Sequence, residues 1–436
     1  MSHRHHRAAV HDALARAHRT HDVFLQVTHA RAAREAETAP GGGRLAGVPF
    51  AVKDVFDVRG TRTSAASQVF DHRPPARRDA EAVRRLAAAG AVLIGKTTMS
   101  ELAYSGIGVN ERFGTPTISR TGGAHVVGGS SSGSAAAVRA GVVGFALASD
   151  TSGSGRIPAA WSGLFGFRPS LRRYPSIGMT PLAPTLDTVA ILAADLERVE
   201  RADRLLAREP ARPVDVPVPV FVVPHDAYLG GCDRDVLDRF HADLTRLRSA
   251  GHRVVQRHIG ALDIARTLHR LHVPIVESEA FAGFGGYLGQ PGLLSTPVRR
   301  RLGRARARLR EHSSRALYAA MSTLRRQFAR ELGDAVLLSP PVEIDAPAYE
   351  DVRASPEYHD HANRRSLAAP MILSYLDAPS LVIPTGDAAA DPPSSLQLSG
   401  STGQDGRVLR AARPLTAALT ARRPPAPGPS KENDHA

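Results

Sequence analysis

Two short clusters of serine and glycine are the part of this 436-residue sequence best suited to chemistry. The first reads GGSSSGS over 128–134, and the second reads DTSGSGR over 150–156. Both residue types bury little surface and lose much entropy when they are ordered, so a fold gains little from concentrating them twice. The clusters are therefore either flexible loops or places where the backbone must approach something closely.

Amide hydrolysis is a reaction that such loops can serve. It requires a nucleophile, a base for that nucleophile, and backbone N–H donors aimed at the developing oxyanion. The second cluster follows an apolar run over 142–148, and its small residues would expose a serine hydroxyl together with consecutive N–H groups. From its residues alone, a simple turn remains the alternative.

A base for the serine is the missing component. The one histidine near the clusters is His125, so a Ser-His-Asp triad is not indicated. A lysine can act as the base when burial lowers its pKa and leaves it neutral. Lys53 directly follows an apolar segment, 48–52, that is predicted to be a strand. Taken alone, this position also fits a lysine that leaves the strand end and extends into solvent.

Taken together, the motifs resemble the amidase signature family of serine hydrolases. The matching segments follow the order and spacing of the family: GVPFAVKD, GKTTMSELAYSG, FGTPT, GGSSSGSAAAVRAG and DTSGSGRIPAAWSGLFGFRPS. The similarity covers roughly residues 20–415 and is densest over 45–190. It implies a single α/β fold in which a central mixed β-sheet is covered by helices on both faces, and it favours a buried Lys53.

The resemblance also implies a catalytic triad of the Ser–cis-Ser–Lys type. Carried over by motif, Lys53 is the base, Ser130 is the relay serine that follows a cis peptide bond, and Ser154 is the nucleophile. Ser154 follows Ser130 by 24 residues, as is usual in the family. The implied oxyanion hole consists of the backbone N–H groups of Thr151, Ser152, Gly153 and Ser154. Support of the loops is assigned to Gly128, Gly129, Asp150 and Arg156.

The enzyme implied by the resemblance is an amidase, a hydrolase of carbon–nitrogen bonds in linear amides other than peptides. It would convert a small or medium carboxylic amide into an acid and either ammonia or an amine. Neutral Lys53 takes up a proton through Ser130 while Ser154 attacks the carbonyl, and water then hydrolyses the acyl-enzyme. This chemistry needs no metal and no organic cofactor.

Several assignments remain open. The segments LFGFRPS and TLDTVAILAADL look like the plant-type indoleacetamide hydrolases, whereas GGSSSGS with SGSGR looks like the allophanate hydrolases, so no substrate is chosen. The glutaminase subunit of a tRNA-dependent amidotransferase carries the same triad and is one alternative. A non-catalytic binding protein with the amidase fold is a further alternative, which the retention of all three triad residues disfavours.

The formal net charge of +14 raises the question of a nucleic-acid partner. Eleven arginines lie in one segment, 299–330, where apolar residues recur at near-helical spacing. No aromatic interleaving or reading motif accompanies them. The segment is therefore predicted to be an amphipathic surface helix with a solvated arginine face. Nucleic acid is expected as a partner only if the chain belongs to an amidotransferase, which the basic charge mildly favours.

The elements that would position these residues alternate between helix and strand, which favours an α/β sheet. Helices are predicted over 8–38, 234–250 and 298–333, and a buried strand over 91–94. The expected division of the chain is an N-terminal helical segment, a catalytic core, the remainder of the same α/β domain, and a disordered tail, over 1–44, 45–205, 206–420 and 421–436. A variable substrate-pocket region is expected over 225–370.

Composition bears on compartment and on metals. Cys232 is the single cysteine, so a disulfide framework and a multi-cysteine metal site are both excluded. No apolar signal segment and no bilayer-spanning apolar run are found. We expect a cytoplasmic protein with a small-molecule amide as partner and no membrane attachment, and a homodimer is left open. Six histidines within the first 21 residues are predicted to lie on a solvated, mobile terminus rather than to bind a metal.

Overall fold

The computed structural model of the protein describes residues 3–38, 43, 45–209, 219–386 and 391–420. The tail predicted to be disordered, 421–436, lies outside the described residues. Within the described ranges, no helix combines the length and the apolar character needed to cross a membrane.

Thirteen β-strands lie within the described residues, and we number them in chain order. They are β1 Phe24–Val27, β2 Pro49–Lys53, β3 Val92–Thr97, β4 Thr117–Arg120, β5 Gly123–Val126, β6 Phe145–Asp150, β7 Phe165–Arg168, β8 Thr188–Ala193, β9 Phe221–Pro224, β10 Val254–Arg257, β11 Val336–Ser339, β12 Ser380–Thr385 and β13 Ser394–Ser399. Eleven of them form one sheet in the order β1-β3-β2-β6-β8-β7-β12-β13-β11-β9-β10, and β4 and β5 form a separate hairpin.

The large sheet is mixed. Strand β2 runs parallel to β3 and β6, and β9 runs parallel to β10 and β11. All the other neighbouring strands in the sheet are antiparallel. The predicted α/β fold with a central mixed sheet is therefore confirmed.

Fifteen α-helices within the same ranges surround the sheet. They are α1 His3–Arg19, α2 His29–Thr38, α3 Glu81–Ala88, α4 Ser132–Arg139, α5 Arg156–Ser162, α6 Leu196–Leu206, α7 Asp226–Leu229, α8 Arg234–Ser249, α9 Gly260–Leu271, α10 Ile275–Phe284, α11 Thr296–Glu311, α12 Arg315–Leu332, α13 Tyr349–Ala354, α14 Pro356–Tyr375 and α15 Asp405–Thr420.

Alternate residues of the central strands pack into two separate cores, because successive side chains of a strand point to opposite faces. In β6, Phe145 and Leu147 pack on one face with α6 and α15, while Ala146 and Ala148 pack on the other face with α4 and α5. The small side chains let α4 and α5 approach the sheet closely. These two helices begin at the serine clusters, so their close packing fixes the clusters against the sheet.

The N-terminal region differs from its prediction. The single helix predicted over 8–38 is wrong, because strand β1 divides it into α1 and α2 and pairs with β3 at the edge of the sheet. The histidine-rich terminus is helical in the described residues; His11, His18 and His21 are exposed, as predicted for a solvated segment, whereas His6 is buried. Val10, Ala13 and Ala17 are buried, and their spacing places them on one face of α1.

The arginine-rich region also differs from its prediction. The single helix predicted over 298–333 is two helices, since α11 ends at Glu311 and α12 begins at Arg315. The break contains Ser314, whose hydroxyl donates a hydrogen bond to the Val273 carbonyl at 2.8 Å. This contact lies at the turn between the two helices. Strand β3 continues to Thr97, beyond the predicted 91–94.

Candidate active site

The ends of two parallel strands bring the candidate base beside the second serine cluster. Strand β2 ends at Lys53, and its parallel neighbour β6 ends at Asp150. Because parallel strands have their carboxyl ends at the same edge of a sheet, Lys53 lies next to the loop over 151–155. We refer to this loop as the nucleophile loop, after its candidate residue Ser154.

Lys53 is fully buried, which excludes the alternative of a lysine extended into solvent. Its Nζ atom donates hydrogen bonds to Ser130 Oγ at 2.6 Å and to Ser149 Oγ at 2.8 Å. Burial lowers the pKa of Lys53 to about 7, although the carboxylates of Asp150 and Asp187 favour its charged form. A substantial fraction of Lys53 is therefore neutral near pH 7 and able to accept a proton.

Ser130 lies where the first serine cluster enters helix α4. The peptide bond between Gly129 and Ser130 is cis. The Ser100 N–H donates to the Ser130 carbonyl at 3.1 Å, and the Gly129 N–H donates to the Gly106 carbonyl at 2.8 Å. A Cβ atom on Gly129 would lie 2.6 Å from both Gly108 N and Ser100 Oγ. Glycine is therefore required here because two backbone segments meet without room for a side chain.

Asp150 organises the nucleophile loop. Its fully buried carboxylate accepts hydrogen bonds from the backbone N–H groups of Gly153, Gly155 and Arg156 at 2.7, 3.1 and 3.2 Å. The Arg156 side chain donates two more, each at 3.0 Å, and Arg168 Nε lies 3.7 Å from the carboxylate. Burial opposes the charge, but the two guanidinium groups and the Gly153 N–H hold the pKa of Asp150 down at about 2. The loop is thus folded around the Asp150 carboxylate, which stays ionised near neutral pH.

The four N–H groups predicted to form the oxyanion hole differ in availability. The Gly153 N–H donates to Asp150, so the structure removes it from the predicted set. The N–H groups of Thr151, Ser152 and Ser154 make no hydrogen bond to the described residues. Three backbone donors around the candidate nucleophile therefore have no hydrogen-bond partner among the described residues, and the fourth holds the loop in shape.

Ser154 lies in the wall of a cavity and contacts the first serine cluster through its backbone. Its carbonyl accepts a hydrogen bond from the Ser131 N–H at 3.3 Å. Within the described residues its hydroxyl makes no hydrogen bond to Ser130. The structure thus brings Lys53 and Ser130 into direct contact and places Ser154 beside them, without the second link of the predicted relay.

Two polar residues of the site were not predicted from the sequence. Ser149 is the second hydrogen-bond partner of Lys53, and Asp187 accepts a hydrogen bond from the Thr151 hydroxyl at 2.5 Å and others from two backbone N–H groups. Burial raises the pKa of Asp187. The available signal for Ser149 is a polar residue at the end of a buried strand parallel to that of Lys53. The signal for Asp187 is a carboxylate directly before strand β8.

The candidate nucleophile faces a cavity of about 570 Å³. The nucleophile loop supplies Ser152 and Ser154, and helices α9, α10, α11 and α14 supply most of the remaining wall. The wall is rich in arginine: Arg270, Arg301, Arg304, Arg308, Arg364 and Arg365. The predicted solvated arginine face over 299–330 is wrong for Arg301, which is buried, whereas Arg304 in the same wall is exposed. Within the described ranges, no group of three or more His, Cys, Asp or Glu side chains is arranged to hold a metal ion.

Comparison with known proteins identifies the family to which the chain is similar. A family model described as Amidase matches residues 7–409. The chain is 42% identical over 170 residues to the AtzE component of 1-carboxybiuret hydrolase from Pseudomonas sp. (strain ADP), a match of 39% of this chain and 37% of that protein. It is 41% identical over 165 residues to urea amidolyase of Lachancea kluyveri, a match of 38% of this chain and 9% of that protein.

A solved structure of an amidase superposes on almost the whole chain, with a TM-score of 0.83 and 29% sequence identity, covering 95% of this chain and 96% of the other. The sequence matches are shorter than the structural one. The chain spans less than half the length of the curated relatives described above, 37% of one and 9% of the other.

Proposed function

The chain belongs to the amidase family, and from this premise we propose that it hydrolyses a small or medium carboxylic amide through Ser154, Ser130 and Lys53. The observation that carries the proposal is the hydrogen bond of 2.6 Å from Lys53 Nζ to Ser130 Oγ, made where neither side chain reaches solvent. A buried lysine with a pKa near 7 beside a hydroxyl is a base positioned to take up a proton.

Attack on the amide begins at the Ser154 hydroxyl. Ser154 passes its proton to Ser130 as Ser130 passes its own to neutral Lys53, and Ser154 Oγ forms a bond to the carbonyl carbon. This relay requires a hydrogen bond between the two serines. We expect it to form when a substrate fills the cavity, since catalytic hydrogen bonds commonly tighten only in the substrate complex.

The charge on the carbonyl oxygen is then stabilised by backbone donors of the nucleophile loop. The free N–H groups of Thr151, Ser152 and Ser154 are the donors that we assign to this task. Asp187 holds the Thr151 side chain, and Asp150 holds the Gly153 N–H. Because these two contacts already fix the loop, little reorganisation is needed when the oxyanion develops.

Collapse of the tetrahedral intermediate completes the first half of the reaction. The carbon–nitrogen bond breaks, and the proton held on Lys53 returns through Ser130 to the departing nitrogen, which leaves as ammonia or an amine. Water then attacks the ester on Ser154 by the same relay and releases the carboxylic acid. The balance is one amide and one water converted into one acid and one amine or ammonia, with no cofactor.

Labelling with a fluorophosphonate, followed by peptide mapping, tests the assignment of the nucleophile. We expect a single adduct on Ser154 in the unaltered chain and none in Lys53→Ala, which should remain folded by circular dichroism. Ser176→Ala, which removes an exposed serine, is the matched control and should label normally. An adduct on another serine, or equal labelling of the Lys53 variant, would overturn the proposed triad.

An amide panel with ammonia detection separates the alternatives left by the sequence. Turnover of simple amides by the chain alone supports a stand-alone amidase. Hydrolysis confined to glutamine and dependent on added partner chains supports the amidotransferase alternative. A folded chain that neither labels nor turns over any amide supports the non-catalytic alternative.

A further inference from the structure

A turn directly before strand β8 lies against the nucleophile loop. Strands β6 and β8 are antiparallel neighbours, and Asp150 at the end of β6 pairs with Thr188 at the start of β8. This register places Thr151 beside Asp187, the residue before Thr188. The Thr151 hydroxyl donates a hydrogen bond of 2.5 Å to one oxygen of the Asp187 carboxylate. The position of Thr151 therefore depends on the position of Asp187.

Asp187 closes this turn, which we call the 182–187 turn. Its second carboxylate oxygen accepts hydrogen bonds from the N–H groups of Leu182 and Ala183 at 2.8 and 3.1 Å. Its own N–H donates to the Ala183 carbonyl at 2.9 Å. The carboxylate that holds Thr151 is thus fixed by the backbone of the turn, so a shift of the turn must also shift this carboxylate.

Glu279 on helix α10 binds the 182–187 turn through one residue, Thr185. Its carboxylate accepts two hydrogen bonds from Thr185, one from the N–H at 3.1 Å and one from the hydroxyl. The Tyr318 hydroxyl on α12 donates a third, at 2.7 Å. Among the described residues, no arginine, lysine or histidine forms an ion pair with Glu279. The hydrogen-bonding capacity of this carboxylate therefore serves the turn and Tyr318.

Two carboxylates thus connect α10 with the nucleophile loop. The contacts run from Glu279 to Thr185, through the turn to Asp187, and from Asp187 to Thr151. Hydrogen bonds to charged groups are stronger than those between neutral groups, about 1.5–3 kcal/mol each. Glu279 itself is not a residue of the cavity wall. An effect of Glu279 on the reaction would therefore pass through the turn and not through contact with the amide.

We propose that Glu279 is a positioning residue for the amidase reaction, because it holds the 182–187 turn and thereby keeps the Thr151 N–H directed at the oxyanion. This deepens the proposed function and rests on it. A donor for an oxyanion must be in place before the charge develops. Release of the turn lets Asp187 and Thr151 move, which removes stabilisation of the transition state and leaves the cavity wall as it was.

The variants Glu279→Ala and Glu279→Gln test this role. Glu279→Ala should lower kcat by about 10- to 100-fold, within the effect of losing one oxyanion donor, and leave KM within about threefold. Glu279→Gln keeps one of the two acceptor oxygens, so its kcat should lie between those of Glu279→Ala and the unaltered chain. Glu311→Ala, which removes an exposed glutamate of α11, is the matched control. An unchanged kcat in Glu279→Ala would overturn the proposal.

A double-mutant cycle separates positioning from a general loss of structure. Thr151→Val removes the hydroxyl that Asp187 binds and keeps the backbone N–H, so it should also lower kcat. If Glu279 acts through Thr151, the double variant should lose little more than the more damaging single variant. Two losses that simply multiply would overturn the proposed route. The melting temperature of each variant checks that it is folded at the temperature of the assay.

Hydrogen–deuterium exchange gives a readout that needs no activity. Glu279→Ala should speed exchange over 151–155 and 182–187 and leave exchange in strand β3 unchanged. Normal turnover in Glu279→Ala, with unchanged exchange over 151–155, would overturn the positioning role and leave the amidase proposal standing. Faster exchange over both segments, with no labelling of Ser154 and no turnover by the unaltered chain, would overturn the amidase proposal and leave the connection between Glu279 and the nucleophile loop.

Discussion

Lys53 Nζ lies 2.8 Å from Ser149 Oγ, and Ser149 directly precedes the carboxylate that organises the nucleophile loop. The candidate base is therefore attached to the strand that carries the candidate nucleophile, as well as to Ser130 on the other cluster. Strands β2 and β6 are neighbours in the sheet, so the two sides of the site share one rigid support.

Replacement of the buried lysine should remove activity without unfolding the protein. Lys53→Met is expected to lower kcat/KM by about 10³-fold, within the range attributed to general acid–base catalysis. Its melting temperature should not fall, because methionine fills a similar volume without a buried cation. Lys96→Met is the contrasting variant, since Lys96 pairs with buried Asp54 at 2.6 Å and its loss should reduce stability. Turnover near the original rate in Lys53→Met would contradict the assignment of the base.

The activity should fall in acid with an apparent pKa of about 7, the value to which burial lowers the pKa of Lys53. The active form is the neutral amine, so kcat/KM should be constant well above that pH and decline about tenfold for each unit below it. The measurement is kcat/KM for a neutral amide across this range, with folding checked at each pH. A flat profile through neutrality would show that no group titrating there acts as the base.

Neutralising the charge at the centre of the nucleophile loop should lower the stability of the protein. Asp150→Asn leaves Arg156 and Arg168 buried with too little negative charge, which should lower the free energy of unfolding by about 3–5 kcal/mol. Denaturant unfolding measures this loss. Asp71→Asn, at an exposed aspartate, serves as the control and should change stability little. A loss no larger than that of the control would mean that the loop does not depend on this carboxylate.

The close contact at Gly129 predicts a severe effect from one methyl group. Gly129→Ala would place Cβ 2.6 Å from Gly108 N and Ser100 Oγ, so the backbone on both sides of Ser130 must move. We expect kcat to fall by about 100-fold or more, since small misplacements of catalytic groups are costly. Gly303→Ala on α11 meets no atom within 4 Å and should instead stabilise the helix by about 0.5–1 kcal/mol. Full activity in Gly129→Ala would show that Ser130 tolerates displacement.

The candidate site residues that lie within short motifs were predicted through the resemblance to the amidase signature family. These motifs contain Lys53, Ser130 and Asp150, whereas the residues alone left open a Lys53 that extends into solvent. The hydrogen bond from the Gly153 N–H to the Asp150 carboxylate could not be predicted from the sequence. The direction of that carboxylate depends on its contacts with Arg156 and Arg168. Strand β1 was not predicted because its four residues, three half-buried and one exposed, are too few to show a clear alternation.

The buried position of Arg301 was in part visible in the sequence. Val298, Arg301, Leu302 and Ala305 are the buried residues of α11, and their spacing defines one helical face. An arginine on such a face is unusual, and this was the available signal. Eleven arginines lie over 299–330, and this composition predicts a surface position for each of them. The burial of Arg301 was therefore not predicted. What faces Arg301 depends on Tyr104, which lies about 200 positions earlier in the chain.

The catalytic edge and the cavity wall come from separate stretches of the chain. Residues before 165 hold the candidate base, both candidate serines and the nucleophile loop, whereas α9, α10, α11 and α14 supply most of the cavity wall. If the proposed function holds, we expect a mutant library confined to these four helices to alter selectivity and to leave the candidate catalytic residues in place.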